Sequence, residues 1–267
     1  MPPPYHNPHW TAFVNAGYQP QAAVGEGPAG WAMGLPDVPN AANLPMAALN
    51  RVQVRNLCQN PQINELFAYV CSMAWGGQSD RFARNGQPGH RTQAWNHIDS
   101  IIPKLQALRA GDLNHSQSYN LFAGQNAVPG LGPSFFTKLI YFFSPNAQPG
   151  QVGFYIMDQW TAKSVDLLTQ QWVVRLGRIK NTSPGPTNQC GNFEAFCHEI
   201  ESIAGALGLQ EPGAGDQIEQ RLMSEGGRNP QPWRAHVRAN WPAHAPAGRY
   251  SRAALHAIYP HIPDIYF

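Results

Sequence analysis

The apolar side chains of this chain recur at three- and four-residue intervals, and no stretch shows a convincing alternation or hairpin signal. Segments that bury one face must therefore do so as helices. Ile63, Leu66, Phe67, Val70 and Ala74 form one stripe, with Asn60-Pro61 expected to open it as cap and first helical proline. Trp95, Ile98, Ile102, Leu105 and Leu108 form a second, with Pro103 an expected kink and Gly111 the expected C-cap. Asn192 is expected to cap a third, turning Phe193, Phe196, Ile200, Ile203 and Leu207 inward before Gly208 ends it. A last helix is expected over Ser251–Tyr259, stopped by Pro260. With 25 Gly and 25 Pro punctuating them, these stripes predict an all-α fold without internal repeats.

Composition narrows the class. A chain of 267 residues with 43 % apolar side chains can build a real core. Charged residues are only 13 %, and a net charge of +2 neither demands nor excludes an acidic partner such as DNA. The run Leu139–Phe143 is far too short to span a bilayer, so no membrane association is expected. Met1-Pro-Pro-Pro-Tyr5 lacks the basic and apolar regions of a secretory signal. Four cysteines (Cys58, Cys71, Cys190 and Cys197) do not make a disulfide scaffold, and a reduced, cytoplasmic protein is expected. Residues 1–50 contain no Lys or Arg and read as a loop-rich wrap with one short helix, anchored by Tyr5, Trp10, Phe13, Tyr18 and Trp31. Residues 51–267 read as the functional domain.

Chemistry concentrates in Val128-Pro-Gly-Leu-Gly-Pro-Ser-Phe-Phe-Thr-Lys138 and the following Gly153-Phe-Tyr-Ile-Met-Asp158-Gln-Trp-Thr-Ala-Lys163. Pro129-Gly-Leu-Gly132 reads as a tight turn in which both glycines supply backbone angles that other residues resist. Pro133 then opens a helix whose first amides are unpaired, an arrangement suited to a backbone phosphate. Asp158 takes the N-cap position of a later amphipathic helix carrying Ala162, Val165, Leu168 and Trp172.

This order and spacing resembles the helix-hairpin-helix DNA glycosylases, in their oxoguanine-glycosylase-like branch. The resemblance is specific over about residues 125–170. It implies two helical subdomains flanking a cleft for DNA and a flipped base. It makes Gly130, Leu131, Gly132 and Ser134 the backbone-binding hairpin, with a monovalent cation there in some relatives. It makes Asp158 the catalytic carboxylate. Bifunctional members carry a lysine where this chain has Ser134. Lys138 follows one turn later on the same face; a lysine so displaced makes a monofunctional enzyme the expectation, with Lys138 as nucleophile, and lyase activity, the alternative. Tyr69-Val-Cys-Ser-Met-Ala-Trp-Gly-Gly-Gln78 is similar to a helix-to-loop passage in bacterial members, making Trp75, Gly76, Gly77 and Gln78 a candidate base pocket; a helix stop with a packed tryptophan is the competing reading. The overall likeness is to bacterial anti-phage glycosylases that excise glucosylated hydroxymethylcytosine. The expected partner is therefore double-stranded DNA bearing a modified base, bound by a prokaryotic monomer. An 8-oxoguanine repair enzyme and a non-catalytic DNA-binding module are the alternatives.

Between Arg228 and Phe267 lie five arginines, four histidines and one acidic residue, interleaved with Trp233, Trp241 and Tyr250. Arg234 and Arg238 are candidate DNA contacts there, or partners of carboxylates elsewhere. Iron–sulfur members of the superfamily use four C-terminal cysteines; none follows Cys197, so no cluster is expected. Glu194, His198 and Glu201 share a helix face, which a solvated surface explains without a metal.

Overall fold

Proline and asparagine start most of the helices. The computed structural model describes residues 7–18, 25–38, 41–81, 86–148, 150–177, 184–225, 228–247 and 250–267, without the side chains of 243–247. The described residues form α1 (Pro8–Ala16), α2 (Pro28–Ala32), α3 (Arg51–Gln59), α4 (Glu65–Trp75), α5 (His90–Trp95), α6 (Ile98–Ala110) and α7 (His115–Asn120). They continue with α8 (Pro133–Phe143), α9 (Gln159–Thr169), α10 (Cys190–Ala206), α11 (Ala214–Met223), α12 (Pro232–Ala247) and α13 (Arg252–Ile258). No strand occurs among them beyond an isolated bridge between Leu176 and Pro184. The fold is all-α.

Side chains cap these helices much as the sequence suggests, with two shifts. Asn60 closes α3, and Asn64 opens α4 by accepting from the Leu66 amide at 2.9 Å. The start expected at Asn60-Pro61 is thus four residues late, because two asparagines compete for one cap and the nearer one ends the preceding helix. Asn192 sits at the third position of α10, its carboxamide accepting from the Gln189 amide at 3.0 Å, so Gln189 is the cap. Gly111, at φ +84°, ends α6 in the left-handed conformation as expected.

The chain divides into two compact units. Gln21–Pro145 forms one of them. There α8 packs on α3, α4, α6 and α7, and α4 packs on α2 and α3. Phe136, Leu139, Ile140, Phe142 and Phe143 are all buried, as is Trp31 of α2. Burying several such side chains contributes about 2 kcal/mol each, which holds a helix this apolar at the centre. Met1–Pro20 and Asn146–Phe267 form the other unit. Its central helix, α9, packs on α1, α10, α11 and α12. Trp233 donates its indole N–H to Ser164 at 2.9 Å, and Ser164 donates to the Leu222 carbonyl at 2.9 Å, so both of these buried side chains have partners.

The described part of residues 1–50 holds two α-helices rather than one, and they serve different units. Phe13 of α1 is fully buried against Trp233, centroids 5.0 Å apart. Tyr18, expected as an anchor, is 40 % exposed, because the chain turns away at Gly17 (φ +68°). Tyr5 and Arg249 lie outside the described residues.

Candidate active site

The two hairpin glycines differ in what they do. Gly130 has φ +78°, and a Cβ there would lie 2.2 Å from the His90 carbonyl oxygen. Gly132 has an ordinary extended φ of −73° and nothing within 4 Å of where its Cβ would be. Only Gly130 is demanded by backbone conformation, which corrects the reading that both are. Gly132 is exposed, caps α8 without a side chain, and so leaves the helix start open to a backbone that approaches closely. Leu131 is 2 % exposed and pins the turn from inside, its amide donating to Val128 at 3.0 Å. Ser134 is half-buried at the second position of α8.

The Trp75–Gln78 loop and Lys138 sit on this same hairpin. Gln78 is 1 % exposed; its amide donates to the Gly130 carbonyl at 2.9 Å, while its own carbonyl accepts from the Trp31 indole at 2.8 Å. Trp75 is 4 % exposed and edge-on to Phe142 at 4.9 Å. These two side chains are structural, which corrects the pocket reading for them: the indole fills the core and the amide staples the turn. Gly77 alone of the four is exposed, at φ +68° with open space above it. Lys138 is buried, its ammonium 3.4 Å from the Gly76 carbonyl and 5.0 Å from the Phe135 ring centroid. A Cβ on Gly76 would press on the Lys138 chain at 3.0 Å, so that glycine is what admits the lysine.

Asp158 belongs to the other unit. Its Oδ1 accepts from the amides of Trp160 at 2.7 Å and Thr161 at 3.0 Å, and the Thr161 hydroxyl accepts from the Asp158 amide at 3.0 Å. This capping box fixes the carboxylate at the positive end of α9. Every hydrogen bond to the carboxylate falls on Oδ1, and Asp158 is half-buried.

Cations gather beside it. The Trp160 ring is approached by Arg234 at 3.9 Å, Lys163 at 4.8 Å and Arg238 at 5.6 Å. Burial lowers the pKa of the Lys163 ammonium and the nearby Arg234 charge lowers it further, while Asp158 opposes both. Sequence reading missed Lys163 and Trp160; the only signal was a lysine one turn beyond the Asp158 cap. Of the two readings open for Arg234, a DNA contact or a partner within the fold, the second fits: Arg234 is 7 % exposed and donates to the carbonyls of Met223 and Ser224. That guanidinium closes the end of α11 and is structural. Arg238 is exposed.

A protein-family model described as "Putative 8-oxoguanine DNA glycosylase OGG-like protein" matches residues 17–223, or 207 of the 267. The chain belongs to this family. Membership in this OGG-like family supports DNA glycosylase activity, with DNA as the substrate polymer. The matched span includes the hairpin, Lys138, Asp158 and Lys163, and leaves out Arg234, Arg238 and the C-terminal helices. Searches of curated proteins and of solved structures find no match.

Proposed function

We propose that this OGG-like protein hydrolyses the N-glycosidic bond of a modified base in double-stranded DNA and leaves an abasic site. The observation that carries the reading is Asp158: one carboxylate oxygen takes both cap bonds, and no described residue donates to the other. As the base departs with the bonding electrons, the sugar becomes an oxocarbenium ion, which a fixed carboxylate stabilises. The same carboxylate takes a proton from the water that adds to the anomeric carbon, and the departing base is protonated by solvent. The open start of α8 at Gly132 would receive a backbone phosphate, giving DNA affinity that falls steeply with salt.

The family description favours 8-oxoguanine as the base. Glucosylated hydroxymethylcytosine is the second reading, which rests on the sequence likeness to the anti-phage glycosylases.

The test incubates matched duplexes carrying either base, or none, with wild-type protein and Asp158→Asn, scoring breaks with and without alkali. Alkali-dependent breaks on one modified duplex are expected, with Asp158→Asn at least about 100-fold slower and its DNA affinity nearly unchanged. Full activity in Asp158→Asn would remove Asp158 from the chemistry, and binding without release from either duplex would leave a DNA-binding module. Breaks without alkali would make a lysine the nucleophile. Borohydride trapping with Lys138→Gln and Lys163→Gln would then name it, since only the true nucleophile's variant loses the cross-link.

A further inference from the structure

His261 lies outside every element considered so far, in the turn after α13, yet it meets α10. Its Nε2 is 3.2 Å from the Nε2 of His198, with the two rings edge-on at 4.5 Å. Glu194 stands one turn before His198 on the same helix face, and one ligand atom from each of the three lies within 4.8 Å of the others. The other acidic residue of that face goes elsewhere: Glu201 accepts from the Tyr155 hydroxyl and from the Gly153 amide at 3.2 Å. His261 therefore replaces Glu201 in the trio that the sequence suggests, and it does so across 63 residues of chain.

We infer that Glu194, His198 and His261 form a binding site for a zinc-class divalent cation. Two imidazole nitrogens bound to one tetrahedral zinc stand about 3.3 Å apart, given metal–nitrogen bonds of about 2.0–2.1 Å. The 3.2 Å separation already present matches that spacing. Two imidazoles and a carboxylate select a borderline metal such as Zn2+, and Co2+ as its spectroscopic stand-in, over Mg2+ or Ca2+, which take all-oxygen shells. Glu194 and His198 are half-buried and His261 is exposed, so a water completes the fourth position.

The site has a mechanical consequence. The C-terminal segment already rests on its own unit: Tyr259 donates to Glu199 of α10, and the Phe267 carbonyl accepts from Tyr250 at 2.7 Å and Arg175 at 2.6 Å. A metal shared by α10 and His261 staples this segment at a further point and stabilises the folded state by mass action.

Untagged protein stripped with a chelator and titrated with Zn2+ alone in a calorimeter tests the site. One equivalent is expected to bind, with the midpoint of thermal unfolding rising by roughly 5 °C at saturation. Co2+ is expected to give the intense visible absorption of a four-coordinate site. His261→Ala, whose side chain is exposed, should leave the metal-free midpoint unchanged, weaken Zn2+ binding at least about tenfold and abolish the Co2+ spectrum. His198→Gln should do the same, and His97→Ala should change nothing. No stoichiometric binding by the wild type, or binding that His261→Ala leaves intact, overturns the inference.

Discussion

Gly130 and Gly132 stand two residues apart in one turn, and the structure asks opposite things of them. Alanine at 130 must adopt φ +78° and push its methyl to 2.2 Å from a carbonyl oxygen that belongs to α5. Left-handed strain of about 1–2 kcal/mol and overpacking of about 1–3 kcal/mol add, so Gly130→Ala should lose roughly 2–5 kcal/mol in chemical denaturation. Alanine at 132 meets open space at an ordinary φ, so Gly132→Ala should unfold within about 1 kcal/mol of the wild type. Its cost should appear in DNA binding instead, as weaker affinity with a shallower salt dependence, because the methyl stands where a phosphate would approach the α8 amides. Equal losses of stability in the two variants would contradict this division. The motif was readable from spacing, but the separate duties were not, since only a folded neighbour reveals which glycine is crowded.

Helix α9 shows where pattern reading succeeds and stops. Its cap and first turn follow from Asp158 and Thr161, which local hydrogen bonds decide. The amphipathic face expected through Trp172 does not form. Gln170 ends the helix at φ +58°, and Thr161 to Leu168 are buried all round, enclosed by helices far away in sequence. One consequence is the carboxyl of Asp166, buried and accepting from the Val173 amide at 3.0 Å. Burial pushes its pKa well above the usual 3.8, outweighing the stabilising hydrogen bonds from Val174 and Val173. The folded state thus holds this proton more tightly than the unfolded chain does. Its contribution to stability is full below about pH 4 and is lost as the pH climbs toward the raised value, with a slope of up to about 1.4 kcal/mol per pH unit. Asp166→Asn keeps an acceptor for Val173 and removes the proton. Denaturation midpoints measured from pH 4 to 8 should therefore flatten in the variant; an unchanged slope would clear Asp166 of the effect.

The chain path explains most of what no local pattern reveals. Helix α1 belongs with residues 146–267, where Phe13 lies against Trp233 and Arg221 grips the Phe13 and Val14 carbonyls. His9 joins the same contact, its Nδ1 2.9 Å from His236 Nε2, and burial lowers the pKa of both rings. Such groups favour the fold above their ordinary value of 6.5 and withdraw that support as the pH falls through the lowered values. Hydrogen exchange of the α1 amides should accelerate between pH 7 and 5 relative to the intrinsic rate, and His236→Gln should blunt the change. Flat protection across that range would remove the pair as the cause. Compact helices, their caps and the hairpin were visible in the sequence because each is decided within a dozen residues. The α1 contact, the cations around Trp160 and the His198–His261 pair were not, because each joins segments that only the finished fold brings together.

That path also sets a timetable. A ribosome delivers Phe13 first and Trp233 only 220 residues later, which at about 5–20 residues per second is a wait of roughly 10–45 s. Residues 21–145 can meanwhile close on their own contacts, whereas α1 leaves the exit tunnel with its apolar face unclaimed until α9 emerges, and Phe13 lacks its Trp233 neighbour until α12 does. A helix made late shelters one made early.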